Sequence, residues 1–402
     1  MGFVVALPIA ERFFRNKHIY RSNSHFAAER SQELVARLAH GEAAYLAGIS
    51  IGGFHNTGAA LVEVTAAGGL RIICNNEEER FSGRKHASTY PSASLEALTK
   101  IMKDLGIGPE QIVAWLATYD YPLFVATSFR SLLEEFPASL GLVFQDHRPT
   151  FDRSQFKEGI CAPARLGRLF GFDNAVPIIG MSHHDNHAWF SYLVSPFARD
   201  QQPVMIAVVD GSGDFGSISL YLSENGIMRM IRTNGSIFDS LGIFYSVISS
   251  TQGGWTALSS EGRYMGAAAY GDMNRSTNHF YPQLRNIFGL WPDGNVSLNR
   301  SLANWLASQR PLGSADAEPA QNSAKIVTVA AAQNLGSFMI RILSARAARA
   351  SPNLKYYRRH TRPKKARDFR PGLFRLHPQG TDDQRNLIAV SVGIGVSGMP
   401  MA

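Results

Sequence analysis

Cysteine is almost missing from this chain: Cys74 and Cys161 are the only two among 402 residues. Two thiols cannot build a disulfide framework, and they fit a reducing compartment, so a cytoplasmic location is expected. Long apolar runs are missing as well. No stretch approaches the roughly 20 residues that a membrane-spanning helix requires. A secretory leader is not expected either. The apolar patch within Met1–Arg15 comes before Arg12 and Arg15, whereas a leader carries its charge first. A net basic charge is missing from the body of the protein. The net charge is +8, yet thirteen Lys/Arg against three Asp lie between Arg341 and Arg385, which leaves the rest slightly acidic. Without a basic stripe over the body, nucleic acid is not the expected partner. A nucleic-acid role through the basic tail is the non-enzyme alternative.

What is present is an ordinary globular composition, long enough for two or three domain-sized cores. Residues 1–43 read as an N-terminal extension, with helical spacing over Phe26–Leu38. The pattern changes at Ala44. Tyr45–Ile51, Ala59–Val64 and Leu70–Asn75 read as three strands, the first two joined by the Gly-rich turn Gly52–Gly58. A helix over Ala93–Leu105 carries Leu95, Leu98, Ile101, Met102 and Leu105 on one face, and Ile112–Ala117 reads as another strand. The layout then repeats. Pro177–Ile179 precedes a His-rich helix, and strands follow at Val204–Val209, Ile218–Leu222 and Met228–Arg232, the first two joined by the turn Gly211–Gly216. Asp239–Ser250 and Ser323–Leu343 read as helices. Two such halves, about 44–175 and 176–343, outline an α/β fold of the duplicated actin/sugar-kinase (ASKHA) type with a ligand between the halves. Beyond residue 344 the pattern fails. Ala345–Arg375 is basic and aperiodic, and the apolar stretch Leu387–Met401 has no evident partner, so 344–402 reads as a basic, aberrant tail.

Met181-Ser182-His183-His184-Asp185-Asn186-His187-Ala188 carries the strongest chemical signal. His183 and His187 are four apart, which on a helix stacks their imidazoles on one face. Two neutral imidazoles can grip a divalent metal, and Asp210, at the end of an apolar strand, is the candidate oxygen ligand. That donor set suits Fe(II) or Zn(II). A polar helix start with surface histidines is the competing reading, and the spacing alone does not separate the two. His55, in a Gly-flanked turn, is placed either to take a proton from a substrate hydroxyl or simply to lie exposed. Glu77–His86 is either a solvated charge run or a strand-end loop whose Arg84 and Lys85 contact an anionic or sugar ligand. Asp210-Gly211-Ser212-Gly213-Asp214 is either a plain hairpin turn or a phosphate-approaching one, with Gly211 and Gly213 admitting the ligand.

Taken in order, these segments resemble the O-carbamoyltransferase family. The resemblance rests on Gly48-Ile49-Ser50 through Phe54-His55-Asn56-Thr57-Gly58-Ala59-Ala60-Leu61, on Glu77-Glu78-Glu79-Arg80-Phe81 through Arg84-Lys85-His86, and on His183–Ala188. Asp210-Gly211-Ser212-Gly213, Ser240-Leu241-Gly242-Ile243-Phe244-Tyr245 and Glu261-Gly262-Arg263-Tyr264-Met265-Gly266 complete it. The wording is nearest to the nodulation branch. The resemblance implies a domain similar to the tRNA-threonylcarbamoylation protein of the actin/sugar-kinase superfamily. It implies ATP and carbamoyl phosphate as co-substrates, and carbamoyl-adenylate as the donor. The acceptor is a sugar hydroxyl, in the nodulation branch the 6-hydroxyl of a lipo-chitooligosaccharide. It assigns Fe(II), with Zn(II) as the alternative, to His183, His187 and Asp210. His55 becomes the general base. Lys85 becomes a substrate contact, and Gly242 falls where the adenylate is held. Beside these, the reading of the residues themselves offers Arg84 and Asp210 as substrate contacts and Gly211 and Gly213 as backbone for the cofactor.

Some positions depart from the family pattern. Asn56 stands where the family has Asp, and Arg263 where most members have Lys. The Gly-Gly-x-Ala-Leu-Asn motif expected after Leu343 is not found, nor is the later aspartate that supplies a fourth metal ligand. The separate adenylate-forming domain of the family is accordingly not expected within these 402 residues. The expected organisation is therefore an extension over 1–43, a carbamoyltransferase domain over 44–343 with its C-terminal part incomplete, and the tail. The alternatives are a sugar kinase or ATPase of the same superfold and an inactive, truncated remnant.

Overall fold

A computed structural model of the chain describes residues 2–51, 56–67, 69–84, 87–134, 136, 153–200, 203–234, 240, 242, 245, 249, 261–282, 288–290, 296–298, 374–375 and 387–390. The chain divides into two units, Met1–Asn186 and His187–Ala402.

The first unit runs α1 (Gly2–Arg15), β1 (Ile19–Arg21), α2 (His25–Ala39), β2 (Ala44–Ser50), β3 (Gly58–Val64), β4 (Leu70–Glu77) and α3 (Glu78–Ser82). It continues with α4 (Ser92–Asp104), β5 (Ile112–Ala117), α5 (Tyr121–Glu134), α6 (Arg153–Phe170) and β6 (Ile178–Gly180). Its six strands form one mixed sheet in the order β1-β6-β5-β2-β3-β4. β2, β3 and β4 are an antiparallel meander, while β5 lies parallel to β2, β6 to β5, and β1 to β6. Residues such as Ile49, Leu61, Trp115 and Ile178 are buried, as covered sheet faces require. β4 is one of the two edge strands and exposes Leu70 and Ile72. On α4 the face read from the sequence is the buried one: Leu95, Leu98 and Met102 enter the core. Leu105 follows the helix as its C-terminal cap and is exposed.

Residues 1–43, an extension ahead of the strand pattern, are built into this unit. β1 adds a parallel strand beside β6, and α1 sends Ala10 and Phe14 into the core. A buried ion pair ties them down, with Arg21 Nε 2.9 Å from Asp120 Oδ2 and Arg21 Nη1 2.6 Å from Glu11.

The boundary between the units falls inside the next helix, α7 (His183–Leu193). The second unit continues with α8 (Pro196–Asp200), β7 (Val204–Val209), β8 (Ile218–Glu224), β9 (Ile227–Thr233), α9 (Glu261–Ala267), β10 (Phe288–Leu290), β11 (Val296–Leu298), β12 (Phe374–Arg375) and β13 (Leu387–Val390). Its main sheet has the order β12-β13-β7-β8-β9. β7, β8 and β9 are again an antiparallel meander, and β13 lies parallel to β7 with Leu387 opposite Val204. Each sheet thus holds a three-strand meander whose first strand has a parallel neighbour on its other side. Val204, Ile206, Val208 and Tyr221 pack with Ala188, Tyr192 and Phe197 into a core.

One expectation is corrected here. The apolar stretch from Leu387 has a partner: β13 pairs with β7, and β12 pairs with β13. The physical reason is that β7 is buried, so its backbone groups on the side away from β8 need a strand to satisfy them. The helix expected at 323–343 and most of 344–402 lie outside the described residues. Of Asp239–Ser250, only Ser240, Gly242, Tyr245 and Ser249 are described, the last three in helical conformation.

Candidate metal centre

β6 ends at Gly180, and Met181-Ser182 lead directly into α7. The turn is tight. A Cβ on Gly180 would stand 2.7 Å from the Tyr119 carbonyl oxygen and 3.0 Å from Asp120 Cα, so only glycine lets the ends of β5 and β6 approach this closely. The Ser182 carbonyl accepts from Asn186 N at 3.0 Å and opens the helix, and Asp185 sits in its first, dipole-positive turn.

Helix geometry separates the three histidines of this stretch. His184 is fully buried, whereas His183 and His187, one turn apart, are both only partly covered. The end of β5 orients His183. Its Nδ1 lies 3.3 Å from the Thr118 carbonyl oxygen. A carbonyl can only accept, so a hydrogen bond at this contact requires the proton on Nδ1, which leaves the lone pair on Nε2 for a metal. Asn186 Nδ2 donates to the same carbonyl at 3.3 Å. Tyr119 stacks on the His183 ring, with centroids 4.3 Å apart and planes 5° from parallel. A carbonyl on the outer ring nitrogen and a packed ring face are the outer-shell supports that metal-ligating histidines use.

His187 faces Asp210 at the end of β7, with Nε2 3.6 Å from Oδ2. Asp210 is buried, and its Oδ1 accepts from Gly211 N at 2.6 Å. One ligand atom from each of His183, His187 and Asp210 lies within 4.8 Å of the other two. Two imidazoles and one carboxylate form the donor set of a facial triad. The residues present fit Fe(II), and fit Zn(II) as well.

The Asp210 turn is held from below. Asp210 N donates to the Ser217 carbonyl at 2.9 Å. The buried Ser240 hydroxyl lies 2.6 Å from the Gly211 carbonyl and 3.2 Å from that of Asp210. Asn234 Oδ1 accepts from Ser217 N and Ile218 N at 3.0 and 3.2 Å. Gly242 packs on the same turn, where a Cβ would meet Gly211 N at 2.7 Å and Gly211 Cα at 2.8 Å. The missing side chain of Gly242 therefore has a packing reason in addition to any ligand it admits. A Cβ on Gly211 would meet nothing within 4 Å, so that side of the turn is open among the described residues. Gly213 N donates to the Gly216 carbonyl at 2.6 Å and closes the turn.

Among the other residues read as functional, Arg84 is exposed just after α3. His55 and Lys85 lie outside the described residues. Glu78, read as part of a charge run, is buried, and its two carboxylate oxygens accept from Ala93 N and Ser94 N at 3.2 and 2.8 Å, which caps α4. Asn56, where the family has Asp, adopts a left-handed φ of 56°, a conformation that Asn and Asp both tolerate. No sequence signal assigned a role to Thr118, Tyr119 or Asn234, and Ser240 stood out only as part of the Ser240–Tyr245 motif. Thr118 acts through its backbone carbonyl and leaves no side-chain signature. Tyr119 had one usable signal, its place just beyond the end of an apolar strand.

Comparison with known proteins places the chain in a family. None of the curated proteins compared matches the chain. A structure described as "Structural Study of the Aquifex aeolicus PPX-GPPA enzyme" is similar to it at 10% identity and a TM-score of 0.29, over 71% of this chain and 90% of that one. The family model described as Carbamoyltransferase N-terminus matches residues 46–309, a span that includes both histidines, Asp210 and the Ser240–Gly242 segment. The chain belongs to the carbamoyltransferase family through this N-terminal domain.

Proposed function

We propose that this chain transfers a carbamoyl group from carbamoyl-adenylate, made from ATP and carbamoyl phosphate, to a sugar hydroxyl, with a lipo-chitooligosaccharide as the acceptor. The observation that carries the reading is the convergence of His183, His187 and Asp210 within 4.8 Å, on one helix and one strand end. In this reading they hold Fe(II), with Zn(II) as the alternative, and the two meanders belong to a duplicated actin/sugar-kinase layout. The metal supplies Lewis acidity toward the carbamoyl carbonyl. The chain's own residues do the rest. The Thr118 carbonyl and the Tyr119 ring keep His183 in the ligating tautomer and orientation. The turn Asp210–Gly213, pinned by Ser240 and Gly242, offers backbone on its open side to the adenylate. His55 takes the proton from the acceptor hydroxyl as the new C–O bond forms and AMP leaves, and Lys85 and Arg84 contact the substrate.

The test is anaerobic incubation of the chain with Fe(II), synthetic carbamoyl-adenylate and a chitooligosaccharide acceptor, followed by mass spectrometry of the sugar. Carbamoylated sugar from the native chain and none from His183→Ala supports the reading. Sugar phosphorylation from ATP, unaffected by His183→Ala, would replace it with the kinase alternative.

A further inference from the structure

We propose that the outward face of α1 is a peripheral docking surface for an anionic lipid bilayer. On its inner face, α1 commits Ala10 and Phe14 to the core. On the other, Val5, Ile9 and Phe13 recur once per turn and are 59%, 65% and 47% exposed. Single exposed apolar residues are normal on soluble proteins. Three in register along one helix, with cations in and just beyond its last turn, are a different pattern. Arg12, Arg15 and Lys17 are all exposed beside them. The one acid between residues 5 and 18 is Glu11, and it is paired with Arg21 at 2.6 Å. The face is therefore apolar and uniformly positive.

Charge decides what fits. A second copy of this chain, docked through the same face about a two-fold axis, would bring Arg12, Arg15 and Lys17 against their own counterparts. A bilayer satisfies both parts of the surface. Val5, Ile9 and Phe13 enter the headgroup–acyl boundary, while the long stems of Arg12, Arg15 and Lys17 carry their charges to anionic headgroups. No described helix is long and apolar enough to cross a membrane, so the contact lies on the surface. The chemistry proposed at His183 and His187 plays no part in this inference.

The full chain is sedimented with vesicles of phosphatidylcholine alone and of phosphatidylcholine mixed with phosphatidylglycerol. Partitioning onto the mixed vesicles is expected to be about tenfold greater and to fall with salt. The double variants Ile9→Gln/Phe13→Gln and Arg12→Gln/Arg15→Gln are each expected to lower it about tenfold with an unchanged thermal melt, because all four side chains are exposed. Equal sedimentation with both vesicle types, or sedimentation unchanged by both double variants, overturns the proposal. A dimer in solution that dissolves in Ile9→Gln/Phe13→Gln, without vesicle binding by the native chain, also overturns it and assigns the face to a second copy.

Discussion

Tyr119 and His183 lie face to face, 5° from parallel and 4.3 Å between centroids, although 63 residues of chain separate them. The stack joins the second residue beyond β5 to the first residue of α7. It also fixes one proposed ligand before any metal arrives, because the same histidine is tied through Nδ1 to the Thr118 carbonyl. Preorganisation of this kind makes the following outcomes measurable.

Removing a ligand should abolish specific metal binding. His183→Ala and His187→Ala, titrated anaerobically with Fe(II) against a competing chelator, should each bind at least about 100-fold more weakly than the native chain. Native-like affinity in both variants would mean that the convergence on Asp210 has another purpose.

Removing the stack should act on the metal and spare the fold. Tyr119→Leu keeps the bulk but loses the flat ring, and outer-shell changes of this kind cost about 10- to 100-fold in metal affinity. Tyr119→Phe should restore it. If Phe fails to rescue while the thermal melt is unchanged, the hydroxyl rather than the ring supports His183.

Gly242→Ala should destabilise the turn that carries Asp210. Its new Cβ would sit 2.7 Å from Gly211 N, against backbone that cannot simply rotate away. A loss of about 1–3 kcal/mol in urea unfolding is expected for such overpacking. A neutral result would show that the turn relaxes freely.

Asp120 gives the pH prediction. Burial pushes its carboxyl up to about 6 from an ordinary 3.8, and Arg21 with the Leu123 N–H only partly opposes this. The folded protein therefore binds this proton more tightly than the unfolded chain does. Asp120's contribution to stability is fully present below about pH 4 and is lost as pH rises through about 6, by roughly 3 kcal/mol. Asp120→Asn keeps an acceptor for the Leu123 N–H and removes the titration. The stability difference between native chain and variant, from unfolding at pH 4 to pH 7, should shift against the native chain with rising pH. A flat difference would contradict a raised Asp120.

Glu78→Ala should loosen α4 by about 1–3 kcal/mol, because it strips the acceptor from the N–H groups of Ala93 and Ser94. Glu78→Gln, which keeps one acceptor oxygen, should recover part of that. Unfolding of the three proteins side by side measures both effects.

The sequence by itself determined the local periodicities: the two meanders, the buried face of α4, the one-turn spacing of His183 and His187, and the Asp-Gly turn after β7. These follow from side-chain alternation and helix pitch, which operate over a few residues. The ordered motifs were enough to point to the family. Only the tertiary structure decided the rest. Glu78 looked like one acid in a charge run until the fold brought the start of α4 over it, roughly fifteen residues on. Leu387–Val390 looked unpartnered because strand pairing is set by backbone hydrogen bonds between distant segments, which leave no pattern in either one. The roles of β1, Thr118 and Tyr119 stayed hidden for the same reason, although Tyr119 lies just beyond an apolar strand. Their roles consist of a ladder, a carbonyl and a ring face, and each acquires meaning only when the fold brings its partner into reach.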